Sequence, residues 1–397
     1  MLNILKPILM KIYKRIFTIL AHILPKDNNL VIFESFLGKS YSDNPRAIYE
    51  YLSNLDKKYK LVWSTQKQNV DFYKKNNIKY AVRFSIKWMF FMIRAKYWVT
   101  NSRLPLWLPK PKGTIYIQTW HGTPLKRLGV DIKEVHMPGT NTEKYKRNFV
   151  FEASKWDYLI SPNAYSTEIF RRAFNFNKRI IESGYPRNDF IVHNNNKDTI
   201  DQIKNQLNLP KDKKIILYAP TWRDNQYYAK GKYKFKLEFD LDKLKAELGN
   251  DYIILLRLHY LVAENLDLSG YEDFIYDFSR HEDIRELYLV ADMLITDYSS
   301  VFFDYANLRR PMLFYVYDIE EYRDKLRGFY FDFEKHAPGP LVKTTEELIE
   351  EIKKIEKFGF TPTEEILAFY DKFCYLEDGR ATERVVKEIF LKNSIPN

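Results

Sequence analysis

The segment VADMLITDYSSVFFDYA, Val290 to Ala306, constrains the fold more than any other part of the chain. Ala291 to Thr296 is an apolar run bounded by polar residues, followed at once by Val301, Phe302, Tyr305 and Leu308 at helical spacing. A short buried strand that hands over directly to a helix is the repeating unit of a parallel α/β sheet. Between strand and helix lies a polar turn, Asp297, Tyr298, Ser299 and Ser300. Free main-chain N–H groups, the positive end of the helix dipole and two hydroxyls converge there, which suits a phosphate without a glycine-rich loop. The competing reading is that one serine merely caps the helix.

The same alternation runs through the whole chain of 397 residues. Asn29 to Glu34 and Tyr59 to Ser64 read as strands, with a helix from Pro45 to Leu52 between them. Gly113 to Thr119, Trp156 to Ser161 and Arg179 to Glu182 read as further strands, and Ser166 to Phe174 as a helix. A polar stretch from Asn194 to Asp212 marks an expected linker. Beyond it, Lys214 to Tyr218, Ile253 to Leu258 and Arg310 to Val316 read as strands of a second sheet, with helices from Glu346 to Lys357 and Asp378 to Leu391. The triplet DLD at 240–242 reads as a helix cap rather than a chelating site. The expectation is an α/β chain of two Rossmann-like domains, 26–200 and 210–397, behind a helix over 1–25. A hydrophobic content of 45% is enough for two cores.

That N-terminal stretch, Leu2 to Leu24, carries Lys6, Lys11, Lys14 and Arg15 and no acid. Its longest uncharged run, Ile16 to Pro25, falls far short of the roughly 20 residues that span a bilayer, so it is not a spanning helix. It reads either as an amphipathic helix lying in an anionic membrane surface or as a helix packed on the body of the protein. Phe84 to Trp98 offers the same pair of readings, surface-seeking helix or buried helix leading into a strand. A net charge of +11 points to anionic partners. With no arginine-rich block, zinc spacing or RNA-binding aromatic pattern, nucleic acid is not expected among them. The single Cys374 excludes a disulfide framework and fits a reducing, cytoplasmic setting.

Strand ends carry the polar chemistry. The strand at Gly113 to Thr119 delivers WHGTPLKRLG, placing His121 on a sharp turn where open α/β sheets hold ligands. Gly122 allows close approach, Thr123 follows, and Lys126 and Arg127 supply positive charge to acceptor or phosphate one turn later. Lys214 to Tyr218 ends at APTWRD, with Thr221 and Arg223, and Ile253 to Leu258 ends at His259 behind Arg257. The arginines read as phosphate clamps or as surface ion-pair partners. The aromatic loop RGFYFDFEKHAPGP, 327–340, could stack a base or plug the core.

Taken together, QTWHGTPLKRLG, SPNAYSTEIF, GYPRND, YAPTWRD, RLHY, ADMLITDYSSVFFDYA and the GFYFDF…APGP loop resemble the CDP-glycerol:poly(glycerophosphate) glycerophosphotransferase family, the wall teichoic acid and capsule polyol-phosphate polymerases. The resemblance covers about Ile115 to Leu341. It implies a GT-B-like fold, two Rossmann-like domains facing each other across a cleft, and peripheral attachment to the cytoplasmic face of the cell membrane. It also implies catalytic roles for His121 and His259. On this reading a hydroxyl of a lipid-linked anionic acceptor attacks the polyol-bearing phosphorus of CDP-glycerol or CDP-ribitol, and CMP leaves. His121 would be the general base. His259, Arg223, Arg257 and the Ser299–Ser300 turn would hold the pyrophosphate, with Thr221 and Asp297 orienting the donor. The sequence demands no metal, although a loosely bound Mg²⁺ is compatible with it. Two rivals stand beside this reading: a GT-B glycosyltransferase using a nucleotide sugar, and a basic membrane-surface or nucleic-acid-binding protein without catalysis.

Overall fold

The computed structural model describes residues 2–55, 58–135, 139–221, 227–229, 232–233, 237–258, 267–323 and 328–391. The chain forms two compact units, the first from 1–121, 147–187 and 380–397, the second from 122–146 and 188–379. Set against the expected 26–200 and 210–397, the partition puts 122–146 and 188–200 with the second unit and the C-terminal residues with the first.

The first unit is built on seven parallel strands: β1 (Asp27–Glu34), β2 (Lys60–Thr65), β3 (Tyr80–Val82), β4 (Ala95–Thr100), β5 (Ile115–Gln118), β6 (Tyr158–Ser161) and β7 (Arg179–Glu182). Their order is β3-β2-β1-β4-β5-β6-β7, so the winding reverses between β1 and β4. Runs such as Leu30 to Phe33 are apolar at consecutive positions because helices cover both faces of such a sheet. Val31, Phe33, Trp63, Val99 and Ile117 share one core. Val385, Val386, Ile389 and Phe390 join it from the far end of the chain, all fully buried. The Phe390 ring lies 4.6 Å from that of Tyr97, and the Tyr59 hydroxyl donates to the Phe390 carbonyl at 3.0 Å.

The N-terminal helix, Leu2–Ile23, has two unlike faces. Phe17 and Ala21 are buried, with the Phe17 ring against Trp88 and Trp107. Packing on the body therefore holds for that face. Ile8, Leu9, Ile12, Ile16, Ile19 and Ile23 are exposed on the other, with Lys11 and Arg15. In the second aromatic segment, the helix Ile86–Arg94 buries Trp88, Met89, Met92 and Ile93 and feeds β4, the buried-helix alternative. Among the described residues no helix is long and apolar enough to cross a membrane.

The second unit holds β8 (Lys214–Tyr218), a ribbon of β9 (Tyr227–Ala229) and β10 (Lys232–Tyr233), then β11 (Tyr252–Leu256), β12 (Ile275–Asp277), β13 (Met293–Thr296), β14 (Met312–Tyr315) and β15 (Leu341–Val342). Its sheet runs β12-β11-β8-β13-β14-β15, reversing between β8 and β13. The expected linker contains the helix Lys197–Gln206, whose Ile203 is buried, and belongs to this unit. Asp240 caps the helix Leu241–Leu248 by accepting from the Lys243 N–H, as expected of the DLD triplet. Two Rossmann-like sheets in one chain give the expected GT-B-like α/β architecture.

Candidate active site

In an open parallel sheet, ligands bind beyond the carboxyl ends of the strands where the strand order reverses. Five of the described sequence-predicted residues lie there: His121 in the first unit, and Thr221, Asp297, Ser299 and Ser300 in the second.

In the first unit His121 stands three residues beyond β5. The loop beneath it is stapled to the end of β4: the Thr119 N–H donates to the Thr100 carbonyl at 2.8 Å, and the Gln118 side chain accepts from the Trp120 N–H at 3.0 Å. Asn44, fully buried, donates to the Trp120 carbonyl at 3.2 Å. Trp120 itself takes a left-handed φ of 52°, a conformation that persists only where the surroundings impose it. Its ring stacks on the imidazole at 4.6 Å, and Phe36 meets the imidazole edge-on at 5.8 Å.

The His121 Nδ1 lies 2.6 Å from the Asn101 main-chain carbonyl. A carbonyl can only accept, so Nδ1 carries the proton and the neutral ring presents a bare Nε2 lone pair. The residue keeps an exposed edge, yet protein crowds its other sides, and the resulting loss of water lowers its pKa below the ordinary 6.5. The hydrogen bond to Asn101 and the Asp43 carboxylate oppose that shift, while Arg187 and Arg103 add to it. Asp43 and Arg187 are joined at 3.0 Å with both side chains 7% exposed.

In the second unit the reversal between β8 and β13 brings Thr221 and the DYSS turn together. Asp297, buried, accepts from the Thr221 N–H at 2.8 Å, and the Thr296 hydroxyl donates to the Ala219 carbonyl at 2.7 Å. Ser299 and Ser300 are half-exposed. Ser300 holds the cap position of the helix Val301–Tyr305, but its hydroxyl makes no capping bond. Gly122 packs directly on it: a Cβ added there would stand 2.7 Å from the Ser300 Oγ. Close approach of residue 122 to the DYSS turn within the second unit thus requires glycine.

The rest of the WHGTPLKRLG motif also belongs to the second unit. Lys126 bridges to Phe329, Arg127 donates its N–H to the Gly328 carbonyl at 3.1 Å, and Tyr330 donates its N–H to the Leu125 carbonyl at 2.8 Å. Thr123 is buried, and Lys126 and Arg127 are half-exposed, 5.8 Å from the ring of Tyr322 and 5.9 Å from that of Tyr330. Of the aromatic loop, Phe329 and Phe333 cluster with Tyr298, which stacks on Tyr322 at 4.2 Å. The plugging alternative holds for these rings.

One expected clamp needs correction. The Arg257 Nη1 donates to the carbonyls of Phe278 at 2.7 Å and Ser279 at 2.9 Å and to that of His281, so it ties down the loop after β12. His259 and Arg223 lie outside the described residues. Among those described, no group of three or more His, Cys, Asp and Glu side chains could hold a metal ion. Asp43, Asn44, Asn101 and Arg187 were not singled out from the sequence. Two signals were available: Arg187 lies within the GYPRND motif, and Asn101 directly follows a strand ending at Thr100.

The family profile described as CDP-Glycerol:Poly(glycerophosphate) glycerophosphotransferase matches residues 16–391. The teichoic acid poly(glycerol phosphate) polymerase of Bacillus subtilis (strain 168) is 65% identical over 380 residues, 96% of this chain. The chain spans only 51% of that protein's length. The Bacillus spizizenii polymerase of the same name is 61% identical over 97% of this chain and 97% of its own length. A structure of the wall teichoic acid polymerase TagF soaked with CDPG superposes with a TM-score of 0.89 at 45% identity, covering 98% of this chain and 96% of that one. The motifs, the fold and the match over nearly the whole length agree, and the chain belongs to the CDP-glycerol:poly(glycerophosphate) glycerophosphotransferase family.

Proposed function

We propose that the chain transfers glycerol phosphate from CDP-glycerol to a hydroxyl of a teichoic-acid-type, lipid-linked acceptor and releases CMP. The observation that carries this reading is the His121 ring, whose Nδ1–H is given to the Asn101 carbonyl and whose Nε2 is left as a base. The acceptor hydroxyl proton passes to Nε2 as its oxygen bonds the glycerol-bearing phosphorus. The bond from that phosphorus to the CMP oxygen breaks, and CMP departs with the electron pair. A general base of this kind contributes about 10²–10⁴-fold.

The second unit is the donor side in this reading. Ser299, Ser300 and the cations Lys126 and Arg127 meet the donor phosphates, and Asp297 braces Thr221 beside them. His259 and Arg223 are assigned to the charge that develops on leaving CMP. Transfer is proposed to need no resident metal, since chain cations and N–H groups can neutralise a diphosphate, with Mg²⁺ carried on the donor as the alternative; retained turnover in excess EDTA would support the first. Glycerol rather than ribitol is favoured by the 61% and 65% identity to proteins named for poly(glycerol phosphate). Peripheral attachment to an anionic membrane is supported by the exposed isoleucines beside Lys11 and Arg15. The test is incubation with a short lipid-linked acceptor and CDP-glycerol, CDP-ribitol or UDP-sugars, with mass spectrometry of the products. CMP release and products growing by glycerol phosphate units are expected. Growth only with CDP-ribitol, or release of UDP, overturns the assignment.

A further inference from the structure

Asn101 is the first residue after β4, where the strand order of the first sheet reverses, and it is fully buried. Its Oδ1 accepts from the Phe36 N–H at 2.8 Å and from the Ser102 hydroxyl at 3.1 Å. Its main-chain carbonyl accepts the His121 Nδ1–H. A main-chain N–H can only donate, so the side-chain atom facing Phe36 is the oxygen and the amide's orientation follows from its network. The Nδ2 amino group is left buried, with no hydrogen-bond partner among the described residues.

We propose that Asn101 is a positioning residue for His121: its carbonyl selects the tautomer with a bare Nε2, its Oδ1 holds the turn that sets the Phe36 ring against the imidazole, and its neutral amide keeps negative charge away from that ring. The inference rests on His121 being the base of the proposed transfer. Phe36 and Leu37 both have left-handed φ, 46° and 61°, which non-glycine residues keep only when held there. Asn101 supplies such a hold, and the Phe36 ring meets the imidazole edge-on at 5.8 Å.

The choice of amide over carboxylate points the same way. Aspartate would keep both acceptor contacts of Oδ1, but it would set a negative charge beside the imidazole and favour its protonated form. The amide keeps the acceptor geometry without that charge, at the cost of one unsatisfied donor. The charged groups acting on His121 are Asp43 at the start of the helix Asp43–Asn54, Arg187 in the turn Pro186–Asn188, and Arg103 in the loop after β4. Asp43 and Arg187 are paired with each other. A new carboxylate at 101 would add to the pull of Asp43 on the ring, against Arg187 and Arg103.

The experiment compares Asn101→Asp, Asn101→Ala and His121→Ala in the full chain, measuring kcat and kcat/KM against pH, CDP-glycerol affinity by calorimetry, and thermal stability. For Asn101→Asp the acidic limb of kcat/KM is expected to move up by about 1 pH unit, with donor affinity unchanged. Asn101→Ala is expected to lower kcat at least about tenfold at unchanged donor affinity. A wild-type pH profile and kcat in folded Asn101→Asp, with His121→Ala inactive, overturns this inference alone. Full turnover by His121→Ala overturns the proposed base itself. ¹⁵N-histidine spectra of the wild-type protein, assigned with His121→Ala, give a reading that does not depend on either Asn101 variant folding. A ring protonated at Nε2 rather than Nδ1 near neutral pH also overturns it.

Discussion

His121 is held by a carbonyl at one nitrogen and by aromatic rings on its face and edge, so it can rotate little. Replacing it with alanine should reduce kcat by about 10²–10⁴-fold while CDP-glycerol affinity, read by calorimetry, stays near wild type. The loss of water around its crowded sides lowers the ring's pKa below 6.5, so the base is neutral at pH 7 and stays neutral some way into acid. The acidic limb of kcat/KM should therefore lie below pH 6.5; a limb above that value would mean that another group controls it. Gly122 gives a separate test at the same scale. Alanine there would force its methyl to within 2.7 Å of the Ser300 Oγ, so Gly122→Ala should displace the Ser299–Ser300 turn. Loss of donor affinity with little loss of melting temperature is the expected outcome.

At the scale of elements, strands and their carboxyl-end loops were legible because apolar runs and the switch to helical spacing are local signals. β1, β2 and β5 to β8 lie where the pattern predicted, within about two residues at each end. What could not be read was side-chain partnership across the sheet. Asn44 and Asn101 look like ordinary turn residues until β1, β4 and β5 are laid side by side. Arg257 misled for the converse reason: an arginine after a strand reads as a free clamp, but loop carbonyls claim its Nη1. The serine turn remains testable as an element. Ser300 makes no capping bond, so replacing Ser299 and Ser300 together by alanine should cost the helix little and weaken CDP-glycerol binding about tenfold or more. Unchanged affinity would return both serines to the backbone. The N-terminal helix allows a cleaner test than deletion, which would uncover Trp88 and Trp107. Ile12→Gln, Ile16→Gln and Ile19→Gln together leave the docked face intact. They should lower binding to anionic vesicles and transfer to a lipid-linked acceptor, yet spare transfer to a soluble acceptor analogue.

For the whole molecule, the unit boundaries do not follow the order of the chain. Residues 122–146 leave the first sheet for the second unit, and 380–391 come back to fill the first core. Neither excursion has a signature in hydrophobic period or composition, which is why the expected split at the polar stretch missed both. Phe390→Ala should therefore destabilise the first unit by about 3–5 kcal/mol, although it lies far in sequence from the strands that it covers. Thermal unfolding would register this, and a change confined to the second unit would contradict the packing.

The returning C-terminal helix also bears on how the protein is made. A ribosome delivers the chain from its N-terminus at about 5–20 residues per second, so the first sheet emerges long before Val385, Val386, Ile389 and Phe390 exist to cover it. During that interval the face they will occupy is bare apolar surface, open to chaperones or to aggregation. Completion of the first unit's core waits on residues made after the whole of the second unit. A nonsense mutation at Arg380 would thus spare the second unit's own residues and leave uncovered a sheet that was made before them.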